Sequence, residues 1–211
     1  MTISPKQLRL YAITDRRWLN GETLEEQVEL AIEGGATIVQ LREKTLNDSD
    51  FLEQAKRLKK TCVKANVPLI INDNVEIALE SDADGVHIGQ SDRPAREVRE
   101  KLGPNKLLGI SCRTVEDAVI AETNGADYLG VGAMFPTATK TDTRPVTIET
   151  LKAICQAVNI PVVAIGGINL DNIQQLKKTG IAGIVAISAI FSQANIETAA
   201  RDLKAEINKY I

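Results

Sequence analysis

The stretch NGADYLGVGAMFPTATK, residues 124–140, puts a glycine before an apolar run that ends in a proline, two threonines and a lysine. A glycine there suits the left-handed cap of an incoming helix, and the apolar run suits a strand buried on both faces. The same order recurs in GGATIVQLRE (34–43) and TGIAGIVAISAI (179–190). Followed along the chain, the pattern gives strand-like runs at LYAIT (10–14), IVQLRE (38–43), PLIIND (68–73), GVHIGQ (85–90), LLGIS (107–111), YLGVGAM (128–134), PVVAIG (161–166) and GIVAISAI (183–190). Between them lie amphipathic stretches of helical period, clearest where Ile196, Ala199, Ala200, Leu203 and Ile207 share one face. Thr114 and Asn169 follow strands as N-cap candidates.

Eight strand–helix units in 211 residues give about 26 residues each, the scale of a small (β/α)8 TIM barrel. The alternative, an open doubly wound sheet, usually carries GxGxxG after its first strand, and AITDRRW (12–18) has none. No Ser/Pro-rich tract or charge block divides the chain, so residues 1–211 are expected to form one α/β domain. Composition agrees: 44% of residues are hydrophobic but only 3% aromatic, the aliphatic core of buried parallel strands.

Charge and cysteine content exclude several classes. A net charge of −3 leaves no electrostatic footprint for nucleic acid. Cys62, Cys112 and Cys155 form no CxxC pair, and an odd count argues against a disulfide framework. MTISPKQLRL lacks the apolar core of a signal peptide, and no run approaches the roughly 18 apolar residues of a membrane helix. A soluble, cytoplasmic protein is expected. Such barrels often self-associate, so a homo-oligomer is an admissible expectation.

In a barrel of this kind the active site lies where the strands' C-terminal ends meet the following loops. Strand 2 ends in QLREK, which places Gln40, Arg42 and Lys44 on one face. Such a face is costly unless it meets an anion. Strand 3 ends in Asn72, Asp73 and Asn74, with Asn74 suited to cap the next helix. GVHIGQSD places Asp92 just past strand 4, so two carboxylates from neighbouring strands face cations at one rim. Such a pair suits Mg2+, which takes a few carboxylates together with substrate phosphate oxygens. A glycosidase-like acid/base pair is disfavoured, because nearby cations depress the raised pKa that the acid requires. His87, the sole histidine, is read as a satisfied barrel residue. Ser111 ends strand 5 without a GxSxG elbow, which points to hydrogen bonding rather than nucleophilic attack, and Cys112 should face the opposite side. Gly166 and Gly167 after strand 7, with Ile187 and Ser188 in strand 8, suit a phosphate cup of the kind found at that position in barrels.

Taken in order, QLREK, NDN, GVHIGQSD, GIS, PTATK and AIGGI resemble the thiamine-phosphate synthase family over essentially the whole chain. The resemblance implies a transferase of thiamine biosynthesis that joins an aminomethylpyrimidine diphosphate to a thiazole phosphate, with or without an extra carboxylate, and releases pyrophosphate. It implies that Gln40, Arg42, Lys44 and Asn72 bind the pyrimidine diphosphate, with Ser111 and Lys140 on its diphosphate or pyrimidine portion. Asp73 and Asp92 would hold Mg2+, while Thr137, Thr139, Gly167, Ile187 and Ser188 would meet the thiazole phosphate. One departure is Thr147, where the family pattern leads to glycine; it lies outside the inferred contacts and bears on loop stability. The alternatives are a thiazole-phosphate tautomerase, for which only His87 offers a lumenal acid/base, and a catalytically silent phosphate-ligand-binding barrel.

Overall fold

Short aliphatic runs have no polar face to expose, so they are stable only as strands covered on both sides. The computed structural model describes residues 3–90, 92–137 and 145–211 and buries those runs in a closed parallel barrel. Its strands are β1 (Leu10–Ile13), β2 (Ile38–Leu41), β3 (Leu69–Asn72), β4 (Gly85–Ile88), β5 (Leu107–Cys112), β6 (Tyr128–Val131), β7 (Val162–Ile165) and β8 (Gly183–Ala186). They follow one another in sequence order, and β8 closes onto β1. Alternate side chains divide the core. Tyr11, Ile13, Ile38, Ile70, Leu107, Tyr128, Val163 and Val185 fill the lumen, while Leu10, Val39, Leu41, Ile71, Val86 and Leu129 pack outward in the larger cluster shared with the helices.

The helices are α1 (Leu24–Glu33), α2 (Asp48–Lys64), α3 (Val75–Glu80), α4 (Ala95–Leu102), α5 (Val115–Thr123), α6 (Ile148–Ala157), α7 (Ser188–Phe191) and α8 (Ile196–Tyr210). Six begin on a side chain that accepts a backbone N–H of the first turn: Thr23, Asn47, Asn74, Thr114, Thr147 and Asn195. Thr147 therefore has a structural task, capping α6 through Thr150 N. Gly35, Gly125 and Gly180 have φ of +109°, +88° and +92°, the left-handed turns expected before β2, β6 and β8.

Two expectations change. Asn169 caps no α-helix: its Oδ1 accepts from Asp171 N in a local turn, and the helix after β7 shrinks to a 3-10 turn at Ile173–Leu176. Here the short polar side chain satisfies its own backbone instead of a helix. The run 183–190 is not one strand. β8 ends at Ala186, and Ile187 turns the chain into α7.

At the rim formed by the strands' N-terminal ends, polar residues tie strands together. Thr37 Oγ1 accepts from Leu10 N at 3.0 Å, Asp84 Oδ2 from Leu69 N at 2.8 Å and Asp127 Oδ2 from Leu108 N at 2.8 Å. In each case the residue before an even strand receives an N–H from the preceding odd strand. Arg99 clamps Asp127 at 2.5 Å and also donates to the carbonyls of Gly125, Gly103 and Lys106. Asp127→Ala removes the acceptor from both Leu108 N and Arg99, and is expected to lower unfolding free energy by about 1–3 kcal/mol. Denaturant unfolding measures that loss.

Candidate active site

At the opposite rim, β3 and β4 bring two carboxylates together. Asp73 follows β3 with φ of +62°, a left-handed conformation that Asp tolerates better than bulkier residues. Its N–H donates to the His87 carbonyl at 2.9 Å, and its Oδ2 accepts from Lys44 Nζ at 2.7 Å. Asp92 folds back so that Oδ2 accepts from Gly89 N at 2.6 Å. Burial and the neighbouring Asp73 carboxylate hold Asp92 above the usual carboxylate range, against the opposing pull of the Gly89 N–H and Lys44. The two carboxyls are thus close enough to repel, and a cation relieves that repulsion. Among the described residues no group of three or more His, Cys, Asp or Glu side chains gathers. Two carboxylates without further protein ligands fit Mg2+, which keeps waters and takes substrate phosphate oxygens. They do not fit a structural zinc site.

β2 supplies the adjacent cations. Gln40 is buried at 2% exposure and points into the lumen, Arg42 is half-buried, and Lys44 is exposed. Arg42 N is held by Thr14 Oγ1 at 3.1 Å, and its guanidinium makes no ion pair among the described residues. Arg16 pairs with the buried Glu43 at 2.6 Å, which fixes the loop after β1 beside them.

Inside the barrel, polar side chains link across the strands. Gln40 Nε2 donates to Tyr11 Oη at 2.8 Å, and the Tyr11 and Tyr128 hydroxyls lie 2.8 Å apart. Tyr128 Oη lies 3.2 Å from His87 Nδ1, and His87 Nε2 lies 3.0 Å from Ser111 Oγ. His87 is accordingly engaged within the barrel, as its strand position suggested. Gln90 Nε2 donates to the Ser111 carbonyl at 2.7 Å. Cys112 turns the other way into the outer core, where burial pushes its thiol up to about 12.

β6, β7 and β8 build a separate pocket lined by Thr137, Gly166, Gly167, Ile187 and Ser188. The loop after β6 lies directly on the glycine pair: Met134 N donates to the Ile165 carbonyl at 2.9 Å and Phe135 N to the Gly166 carbonyl at 3.0 Å. A Cβ on Gly167 would fall 2.4 Å from the Pro136 carbonyl oxygen, and its φ is +65°. Only glycine lets the two loops meet this closely. Asn172 Nδ2 donates to the Gly167 carbonyl at 2.8 Å. The first N–H groups of α7 open beside Ser188, where a helix has no acceptors of its own.

Gln40, Asn72 and Ser111 thus come from strands β2, β3 and β5, and Arg42, Lys44, Asp73 and Asp92 from the loops that follow β2, β3 and β4. Thr137, Gly167, Ile187 and Ser188 gather on the β6–β8 side. Thr139 and Lys140 lie outside the described residues. Sequence reasoning passed over Tyr11, Tyr128, Gln90 and Asn172. The signal for the tyrosines was two of the chain's three, each set in an aliphatic strand at a lumenal position. A larger cleft of about 400 Å3, lined by Lys6, Arg9, Cys155 and Asn159 among others, opens at the far rim and contains none of these groups.

A sequence model described as thiamine monophosphate synthase matches residues 10–190. The thiamine-phosphate synthase of Ruminiclostridium cellulolyticum is 55% identical over 194 residues, covering 92% of each chain. That of Clostridium tetani is 52% identical over 200 residues, covering 95% of this chain and 96% of the relative. Among solved structures, thiamine phosphate pyrophosphorylase from Pyrococcus furiosus superposes with a TM-score of 0.90 at 39% identity, covering 98% of each chain. Similarity of that extent, in sequence and in backbone alike, means that the chain belongs to the thiamine monophosphate synthase family.

Proposed function

We propose that the two sides of the rim hold the two substrates of the family's reaction, and that ionisation of the pyrimidine diphosphate precedes attack by the thiazole. The chain is a transferase that joins an aminomethylpyrimidine diphosphate to a thiazole phosphate and releases pyrophosphate. The observation that carries the division is the separation of two sites on one rim: the Asp73–Asp92–Lys44 group after β2 to β4, suited to a cation and the diphosphate it would meet, and the glycine cup after β7 and β8.

In this reading the bond from the pyrimidine methylene carbon to the diphosphate oxygen breaks heterolytically, and its electron pair leaves with the diphosphate. The electron-rich aminopyrimidine delocalises the resulting positive charge. The thiazole nitrogen then donates its lone pair to form the new C–N bond. No protein nucleophile is needed, which suits a rim of cations and hydroxyls. Arg42, Lys44 and Lys140 neutralise the departing diphosphate, while Gln40, Asn72 and Ser111 orient the pyrimidine. Asp73 and Asp92 would hold Mg2+, which when bound would supply further charge neutralisation to the leaving group. Thr137 and Thr139, with Gly167, Ile187 and Ser188, hold the thiazole phosphate so that its ring nitrogen faces the carbon. The tautomerase alternative needs a lumenal acid/base, and His87 is already engaged by Ser111 and Tyr128.

Arg42→Ala and Gly167→Ala separate the two halves. Arg42→Ala should slow pyrophosphate release on the order of 10²-fold with little change in KM for thiazole phosphate. Gly167→Ala should raise that KM about tenfold or more, through left-handed strain and collision with Pro136. Equal effects of either variant on both substrates would contradict the division. The same reading puts the enzyme in the cytoplasm with its small anionic substrates, and takes neither nucleic acid nor membrane as a partner.

A further inference from the structure

The polar chain through the lumen has a direction, and the direction follows from counting hydrogens. The Gln40 amide nitrogen can only donate, so Tyr11 Oη accepts from it at 2.8 Å. Burial pushes both phenol pKa values well above the ordinary value, so each tyrosine keeps its single proton. Tyr11, having accepted, gives its proton to Tyr128 Oη at 2.8 Å. Tyr128 must then give its own onward to His87 Nδ1 at 3.2 Å. A neutral imidazole that accepts at Nδ1 carries its hydrogen on Nε2, which faces Ser111 Oγ at 3.0 Å. If Ser111 accepts there, its own hydroxyl hydrogen is left to donate to another acceptor.

The sequence makes room for this chain at two glycines. A Cβ on Gly109 would fall 2.2 Å from Tyr128 Cζ and 2.4 Å from His87 Nδ1, and one on Gly130 would fall 3.1 Å from His87 Cε1. Strand register puts His87 beside Gly109, Gly109 beside Tyr128 and Ser111 beside Gly130. Side chains separated by 117 residues thus meet at hydrogen-bond distance in an otherwise aliphatic lumen.

We infer that Gln40, Tyr11, Tyr128 and His87 form a one-way hydrogen-bond chain that sets Ser111 as a hydrogen-bond donor to an acceptor nitrogen of the substrate's heterocycle. Tyr11, Tyr128 and His87 act as positioning residues, since they reach the substrate only through Gln40 and Ser111. The inference rests on placing the pyrimidine at this rim. It adds a specificity rule: a ring that offers a nitrogen acceptor is favoured over the same ring with C–H in its place, because the alternative leaves the Ser111 donor unpaired.

The chain contains one histidine, so a protein labelled with 15N-histidine shows a single imidazole. The expected spectrum of the wild-type enzyme is that of a neutral ring protonated on Nε2. A ring protonated on Nδ1, or an imidazolium, at neutral pH would overturn the direction. Kinetics supply the second arm. Tyr128→Phe should raise KM for the pyrimidine diphosphate by about two- to tenfold, the weight of one neutral hydrogen bond, and leave KM for thiazole phosphate unchanged. A loss of general integrity would move both. Adding Tyr128→Phe to Ser111→Ala should produce no further rise. An unchanged KM in Tyr128→Phe, or additive effects in the double variant, would overturn the relay while leaving the substrate placement standing. An unchanged KM for the pyrimidine diphosphate in Ser111→Ala would overturn the placement, and the relay with it.

Discussion

Asp73→Ala is expected to lower kcat/KM on the order of 10²- to 10³-fold, the usual cost of removing one preorganised electrostatic group from a charge-developing reaction. Three links lead to that magnitude. The residue after β3 is held left-handed, with its N–H on the β4 strand, so its carboxylate is aimed by the backbone rather than by a flexible stem. The carboxylate meets Lys44 on one side and Asp92 on the other. Its loss leaves Lys44 without that ion-pair partner, and in the proposed assignment it would leave Mg2+ with a single carboxylate. A magnesium titration of the variant should show half-saturation moved to higher concentration, and Asp92→Asn should behave alike. Full activity of Asp73→Ala without added metal would contradict the assignment.

Gly183→Ala is expected to produce a large loss of stability from a single added methyl group. Gly183 opens β8, and a Cβ there would fall 2.0 Å from the Leu8 carbonyl oxygen and 2.5 Å from that of Arg9. The neighbour is backbone, which cannot rotate away, and β8 is the strand that closes the barrel on β1. Overpacking of this kind costs about 1–3 kcal/mol and occasionally more. For a chain of 211 residues that corresponds to a Tm lower by roughly 2–12 °C. Thermal unfolding read by circular dichroism measures it, and an unchanged midpoint would contradict the close approach.

Much of the barrel was legible because each unit carries its own punctuation. A glycine free to adopt positive φ ends the helix, an aliphatic run buries itself, and a Thr restarts the helix, as at Gly125, Tyr128 and Thr114. The end of β8 was not legible. IVAIS and SAIF are equally apolar, and period alone does not separate a buried strand from a short buried helix. Asn169 failed as a cap for a related reason, since a short amide serves a turn as readily as a helix start. The rim residues stood out because charge at the end of an apolar strand has few structural uses in a barrel without edges. Tyr11 and Tyr128 were not, because their significance lies in a contact between distant strands. The glycines that admit their rings read, in sequence, as ordinary small residues.

The most direct test of the two-sided rim is a pyrophosphate assay on the purified chain, given the pyrimidine diphosphate, thiazole phosphate and Mg2+ together. The expected result is pyrophosphate and thiamine phosphate in equal amounts, lost when any one of the three is withheld. No pyrophosphate from the complete mixture would contradict the central claim that the β2–β5 cations and carboxylates activate a departing diphosphate while the β6–β8 cup presents its acceptor.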